Sequence, residues 1–112
     1  MNEKLSEKLY NAKIEWSKAD RLASYLEEMR KPVLASEVIQ ARRNGEKTMN
    51  MCEYIGYASL EYKNHIVAMC NAKEEANKKY AYFQKVIQEI EEEKQKNIAN
   101  HISAKFSNGY GS

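Results

Sequence analysis

The apolar positions of this chain recur at alternating steps of four and three residues. From Leu5 they run through Leu9, Ala12, Trp16, Ala19, Ala23 and Leu26, the spacing that keeps one seam of a helix turned toward a partner helix. Pro32 interrupts the stripe. A proline inside a helix removes a backbone donor and crowds the preceding turn, so a kink is expected at Arg30-Lys31. The stripe then resumes one residue out of phase as Leu34, Val38 and Ala41. After the polar break Arg42-Arg43-Asn44-Gly45-Glu46-Lys47, a second stripe follows: Met51, Ile55, Ala58, Tyr62, His65/Ile66, Met69, Ala72, Ala76, Tyr80, Phe83, Ile87 and Ile90. Asn50 is the expected N-cap of this second helix, with Glu53 as its return partner. The extra step of four from Ala76 to Tyr80 predicts a stutter, a local unwinding of the supercoil.

The two stripes mirror each other about Glu46. Leu5 and Ile87, Leu9 and Phe83, Ala12 and Tyr80, Trp16 and Ala76, Ala23 and Met69, Leu26 and Ile66, and Leu34 and Ala58 are each equidistant from it. Folding back at Asn44-Gly45 therefore zips the stripes together, with Ala19 near Ala72. The pattern predicts an all-α, coiled-coil-like antiparallel hairpin, kinked near Pro32. Its helices are expected over about 2–43 and 50–105, joined by a turn at 44–47, in a single domain spanning 1–106. The second helix outruns its partner and carries Ile98, Ile102 and Phe106 on the overhang. Residues 107–112 are expected to form a flexible tail.

A single seam buries little for a chain of this length, and apolar residues are left over. Leu22, Tyr25 and Met29 form an extra stripe on the first helix; Tyr57, Leu60, Asn64, Val67 and Asn71 form another on the second. These predict a self-associating protein, a dimer first of all, that completes a helical bundle, or a surface for another protein partner.

Composition supports helices: charged residues make up 30%, Pro32 is the one proline, and glycine is confined to Gly45, Gly56, Gly109 and Gly111. The net charge of +2 comes from the residues before Thr48, where ten basic side chains meet eight acidic ones. That bias alone does not call for nucleic acid or a membrane surface. No apolar run reaches the roughly 20 residues needed to span a bilayer, and no signal-peptide core is present, so no membrane partner and a cytoplasmic location are expected. Cys52 and Cys70 lie 18 residues apart, on one face of the expected second helix but about 27 Å from each other. They are read as free, partly buried thiols.

Catalytic chemistry has no constellation to rest on, and the chain is expected to be non-enzymatic, without cofactor or metal. His65 falls on the seam, where a bonded core histidine is the ordinary outcome. His101 stands on the overhang. Glu61 and His65 are four residues apart, not the three of a carboxylate-bridged metal bundle. No phosphate-cradling glycine loop or nucleophile elbow occurs. Arg30, Lys31, Arg42, Arg43 and Lys47 make the kink-to-tip half basic, opposite the acidic run Glu91-Glu92-Glu93, and tyrosine occurs eight times. Positive charge beside stackable rings suits nucleic acid; the same charges suit an acidic protein surface.

The segments Tyr25-Leu26-Glu27-Glu28-Met29-Arg30-Lys31-Pro32-Val33-Leu34-Ala35 and Ala58-Ser59-Leu60-Glu61-Tyr62-Lys63-Asn64-His65-Ile66, with Ala72-Lys73-Glu74-Glu75-Ala76-Asn77, resemble small helical proteins of tailed bacteriophages and prophages. The resemblance covers Trp16 to Ile90. It implies a viral protein acting in the host bacterial cytoplasm by binding, as an inhibitor or adaptor of a host defence or nucleic-acid-processing complex. The alternatives are a DNA-binding accessory factor in phage recombination or replication, and a structural or assembly protein. Secreted helical hairpins of the Trp-x-Gly family share the architecture but carry that motif at the turn, where this chain has Asn44-Gly45.

Overall fold

The computed structural model describes the backbone of residues 4–110 and the side chains of residues 4–106. Three helices, α1 (Leu5–Arg43), α2 (Met49–Ala58) and α3 (Leu60–Tyr110), account for all regular structure among the described residues, of which 93% are helical. α1 packs antiparallel on α2 and α3 to form an elongated all-α hairpin. Its 26 × 15 Å cross-section accommodates two helices side by side, each about 10 Å across, with no second layer. The expected helix start near Asn2 lies outside the described residues. At the other end α3 continues through Tyr110, so residues 107–110 of the expected tail are helical, and residues 111–112 lie outside the described part.

Asn44 and Gly45 end α1 by a specific hydrogen-bond pattern. The Glu46 N–H donates to the Ala41 carbonyl at 3.2 Å and the Gly45 N–H to the Arg42 carbonyl at 3.1 Å, the paired bonds of a Schellman cap. Gly45 occupies the position that requires positive φ, here 108°, which a Cβ would disfavour. α2 then starts one turn from the tip with Thr48, not Asn50, as N-cap. Its hydroxyl accepts from the Met51 N–H at 3.3 Å, and no acid stands at the third helical position to return the bond.

The second helix is not continuous. Ser59 has an extended backbone, φ −65° and ψ 147°, and separates α2 from α3. Its N–H and hydroxyl both donate to the Gly56 carbonyl, at 3.2 and 2.8 Å. The hydroxyl oxygen also accepts from the Tyr62 N–H at 3.1 Å, capping α3. α1, by contrast, where a kink is expected near Pro32, runs unbroken through that residue; the interruption falls on the facing helix, three residues beyond the glycine that sits against Leu34. Ser59→Ala removes the cap, and an urea-denaturation midpoint lowered by the equivalent of about 1 kcal/mol is expected; an unchanged midpoint would show that the cap contributes nothing.

Packing corrects the expected register and most of the stutter. On α3 the residues turned inward are Tyr62, His65, Met69, Ala72, Ala76, Lys79, Phe83, Val86 and Ile90, an uninterrupted alternation of three and four. Lys79 lays its stem along the seam where Tyr80 was expected, and Tyr80 stays 44% exposed. Trp16 lies with its ring centroid 5.0 Å from Tyr80 and 5.5 Å from Phe83, one and two turns beyond Ala76, its mirror position. Ala76 instead joins Ala23 and Ala72 in a buried cluster flanked by Ala19 and Leu26. Near the tip the mirror holds more closely: Gly56 sits against Leu34 and Val38.

Candidate interaction surfaces

The seam residues named from the sequence differ in burial. Ala12, Ala23, Ala41, Met69, Ala72 and Ala76 are buried; Leu5, Leu9, Trp16, Ala19, Leu26, Leu34, Val38, Ile55, Ile66, Phe83 and Ile87 are half-buried. Met51 and Ala58 are exposed. Their places are taken by Cys52 and Gly56, and Val86 is the other side chain with no exposure. The sequence reading missed these three. Cys52 donates weakly to the Glu46 carbonyl beneath the tip, at 3.8 Å. Cys70 is exposed on a different helix, so the two cysteines do not share a helix or a face.

His65 is half-buried and its Nε2 lies 2.7 Å from the Leu26 carbonyl oxygen. A carbonyl only accepts, so Nε2 carries the proton, and the imidazole ties α3 to α1. Glu61 is exposed, and no group of three or more His, Cys, Asp and Glu side chains suited to a metal occurs among the described residues. Two shallow grooves, of about 420 and 440 Å³, run beside the seam; Asp20, Glu27, Lys73 and Asn77 line the first, Glu37, Glu61 and His65 the second.

Ion pairs fix the two flanks of the hairpin. Lys8 pairs with Glu89 at 2.9 Å on one flank, and Glu15 borders the groove beside Lys8 and Tyr82. Lys8, Glu15, Leu22 and Met29 are spaced by seven, so all four share that flank. Glu27 pairs with Lys73 on the other. The Lys73 ammonium holds the Glu27 carboxyl below its ordinary pKa. This pair therefore supports the fold at neutral pH and stops doing so as pH falls through the lowered value, a small effect at an exposed site.

Leu22 and Tyr25 are 53% and 55% exposed, and Met29 is half-buried beside them. Tyr57, Leu60 and Val67 are also exposed, but Leu60 and Val67 are turned to the back of α3, away from the seam. The expected partner surface is thus two apolar patches, one on the α1 flank and one behind α2 and α3. Tyr57 stands edge-on to Tyr62 with centroids 5.4 Å apart. At the tip Arg42, Arg43 and Lys47 are exposed, and none forms an ion pair among the described residues. Lys31 is exposed and Arg30 half-buried further down the shaft. No helix among the described residues is long and apolar enough to cross a membrane. Comparison with known families, curated proteins and solved structures finds no match.

Proposed function

We propose that this chain is a non-enzymatic interaction protein of the tailed-phage type, which self-associates and occupies a surface of a host or viral complex in the host bacterial cytoplasm. A host defence or nucleic-acid-processing machine is the target class, with inhibition as the effect. The observation that carries the association reading is the exposure of Leu22 and Tyr25 beside the half-buried Met29, on a rod whose packing among the described residues is a single seam. An apolar flank of that kind on a slender hairpin is what a partner surface covers. The viral part of this reading rests on the resemblance of Tyr25–Ala35 and Ala58–Ile66 to small helical phage proteins.

The test is capture from bacterial lysate with the full chain and with Leu22→Asp/Tyr25→Asp. A specific partner retained by the first and lost by the second, at an unchanged melting temperature, is expected. A partner held equally by both removes the flank from the account.

The exposed Arg42, Arg43 and Lys47 favour a second reading, a DNA-binding accessory factor. It predicts binding of labelled single- and double-stranded DNA with a steep salt dependence. Arg42→Ala/Arg43→Ala would reduce the slope of log K against log salt by about 2 on duplex DNA. Absence of binding at low salt rules that reading out.

A further inference from the structure

The hairpin stops supporting α3 at Glu89 and Ile90, both half-buried, with Glu89 held by Lys8. From Glu91 to Phe106 every side chain is exposed, while the helical backbone continues to Tyr110. The projection is about 30 Å long at 1.5 Å per residue, and a free helix of that length is marginal in water. Along it Ile98, Ile102 and Phe106 are 53%, 48% and 60% exposed and follow Ile90 and Lys94 at steps of four. Glu91 and Lys105 stand seven residues to either side of Ile98 and so share its face of the helix, with Lys94 and Ile102 beside it.

We propose that this projection is the dimerisation element, and that its occupant is the same projection of a second copy, laid antiparallel with Ile98 on the twofold axis. In that register Ile98 meets its own counterpart. The stem of Lys94 covers Ile102, and Glu91 faces Lys105. No like charges oppose one another. A parallel alignment would set Glu91-Glu92-Glu93 against the same acidic run and Lys105 against Lys105, so charge selects the antiparallel one. The contact is isologous and closes on two chains. It leaves the two Arg42-Arg43 tips at opposite ends of the assembly, each able to engage a target. This inference rests on reading the chain as a protein that works by association, and it identifies the partner in that association.

Sedimentation equilibrium of the full chain is expected to give twice the 13.0 kDa chain mass. Ile98→Asp/Ile102→Asp should sediment as a monomer, with Trp16 emission showing the hairpin intact. Glu91→Lys and Lys105→Glu should each weaken the dimer several-fold, and the combined exchange should restore it. In a Cys70→Ser background, where the remaining native thiol of Cys52 is buried, Ile98→Cys should cross-link to its own copy on mild oxidation, whereas Ile102→Cys should not. A dimer that survives Ile98→Asp/Ile102→Asp overturns the inference. If that dimer is instead lost with Leu22→Asp/Tyr25→Asp, association stands and only the projection's role falls. A wild-type monomer at every concentration overturns both the inference and self-association.

Discussion

Trp16→Ala is expected to lower the stability of the hairpin by about 2–3 kcal/mol in urea unfolding followed by helical circular dichroism. Truncating a buried tryptophan costs about 3–5 kcal/mol, and Trp16 is half-buried, which scales the loss down. The residue still matters more than its exposure suggests, because it is the one large ring on this stretch of α1. Its seam neighbours on α1, Ala12 and Ala19, are small. Two rings of α3, Tyr80 and Phe83, close on it. Part of the loss should therefore be pairwise. In a double-mutant cycle with Phe83→Leu, a coupling of about 0.5–1.5 kcal/mol is expected for the stacked rings. Additive losses would place Phe83 elsewhere on the seam.

The second large effect is at Gly56. A Cβ built there lies 3.0 Å from Val38 Cγ2, 3.2 Å from Leu34 Cδ1 and 3.5 Å from the Val38 backbone nitrogen. Glycine lets α2 lie this close to α1. Alanine would relieve the cost of a helical glycine, about 0.5–1 kcal/mol, while pushing two side-chain tips by tenths of an ångström, so Gly56→Ala should stay within about 1 kcal/mol of wild type. Gly56→Val adds two branched carbons facing a backbone atom that cannot yield. A loss of about 2–3 kcal/mol is expected from overpacking, measured by the same urea transition. Equal stability of the alanine and valine variants would mean that α2 and α1 stand further apart than this contact requires.

The hairpin was legible because two strong local signals agree. Asn44-Gly45 supplies the positive-φ residue that a Schellman cap needs, and the stripes on either side keep helical spacing for many turns. The overhang was legible in the mirror itself, which sets no stripe position of the first helix opposite Ile98, Ile102 and Phe106. What escaped was set by tertiary fit. Ser59 sits inside a helical pattern as an unremarkable polar residue, and its role as a cap depends on an extended backbone that no neighbour announces. The nearest signal was Gly56 followed by Ser59 with Glu61 in the next turn, which reads as the end of one helix and the start of another. Cys52 and Gly56 face α1 where spacing alone points to Met51 and Ala58. Between helices in close contact the smaller side chain is the one that fits. Lys79 carries a charge, yet it is half-buried and its stem covers the seam as an apolar residue would.

The partner surface was legible in its residues but not in its geometry. Leu22, Tyr25 and Met29 were identified as surplus to the seam, and helical spacing places them with Lys8 and Glu15 on one flank. Leu60 and Val67 had the same apolar signature, yet they belong to the back of α3. Periodicity tells which residues share a helix face; it does not say which faces of two helices meet.

An isotope-filtered nuclear Overhauser experiment on an equimolar mixture of labelled and unlabelled chain tests the single-seam hairpin most directly, since it separates contacts within one chain from contacts between chains. The Trp16 indole protons should show intrachain cross-peaks to the ring protons of Tyr80 and Phe83. Cross-peaks from Trp16 to those rings that appear only between chains, or a Trp16 indole with no contact to either ring, would contradict the hairpin and the exposed flank derived from it.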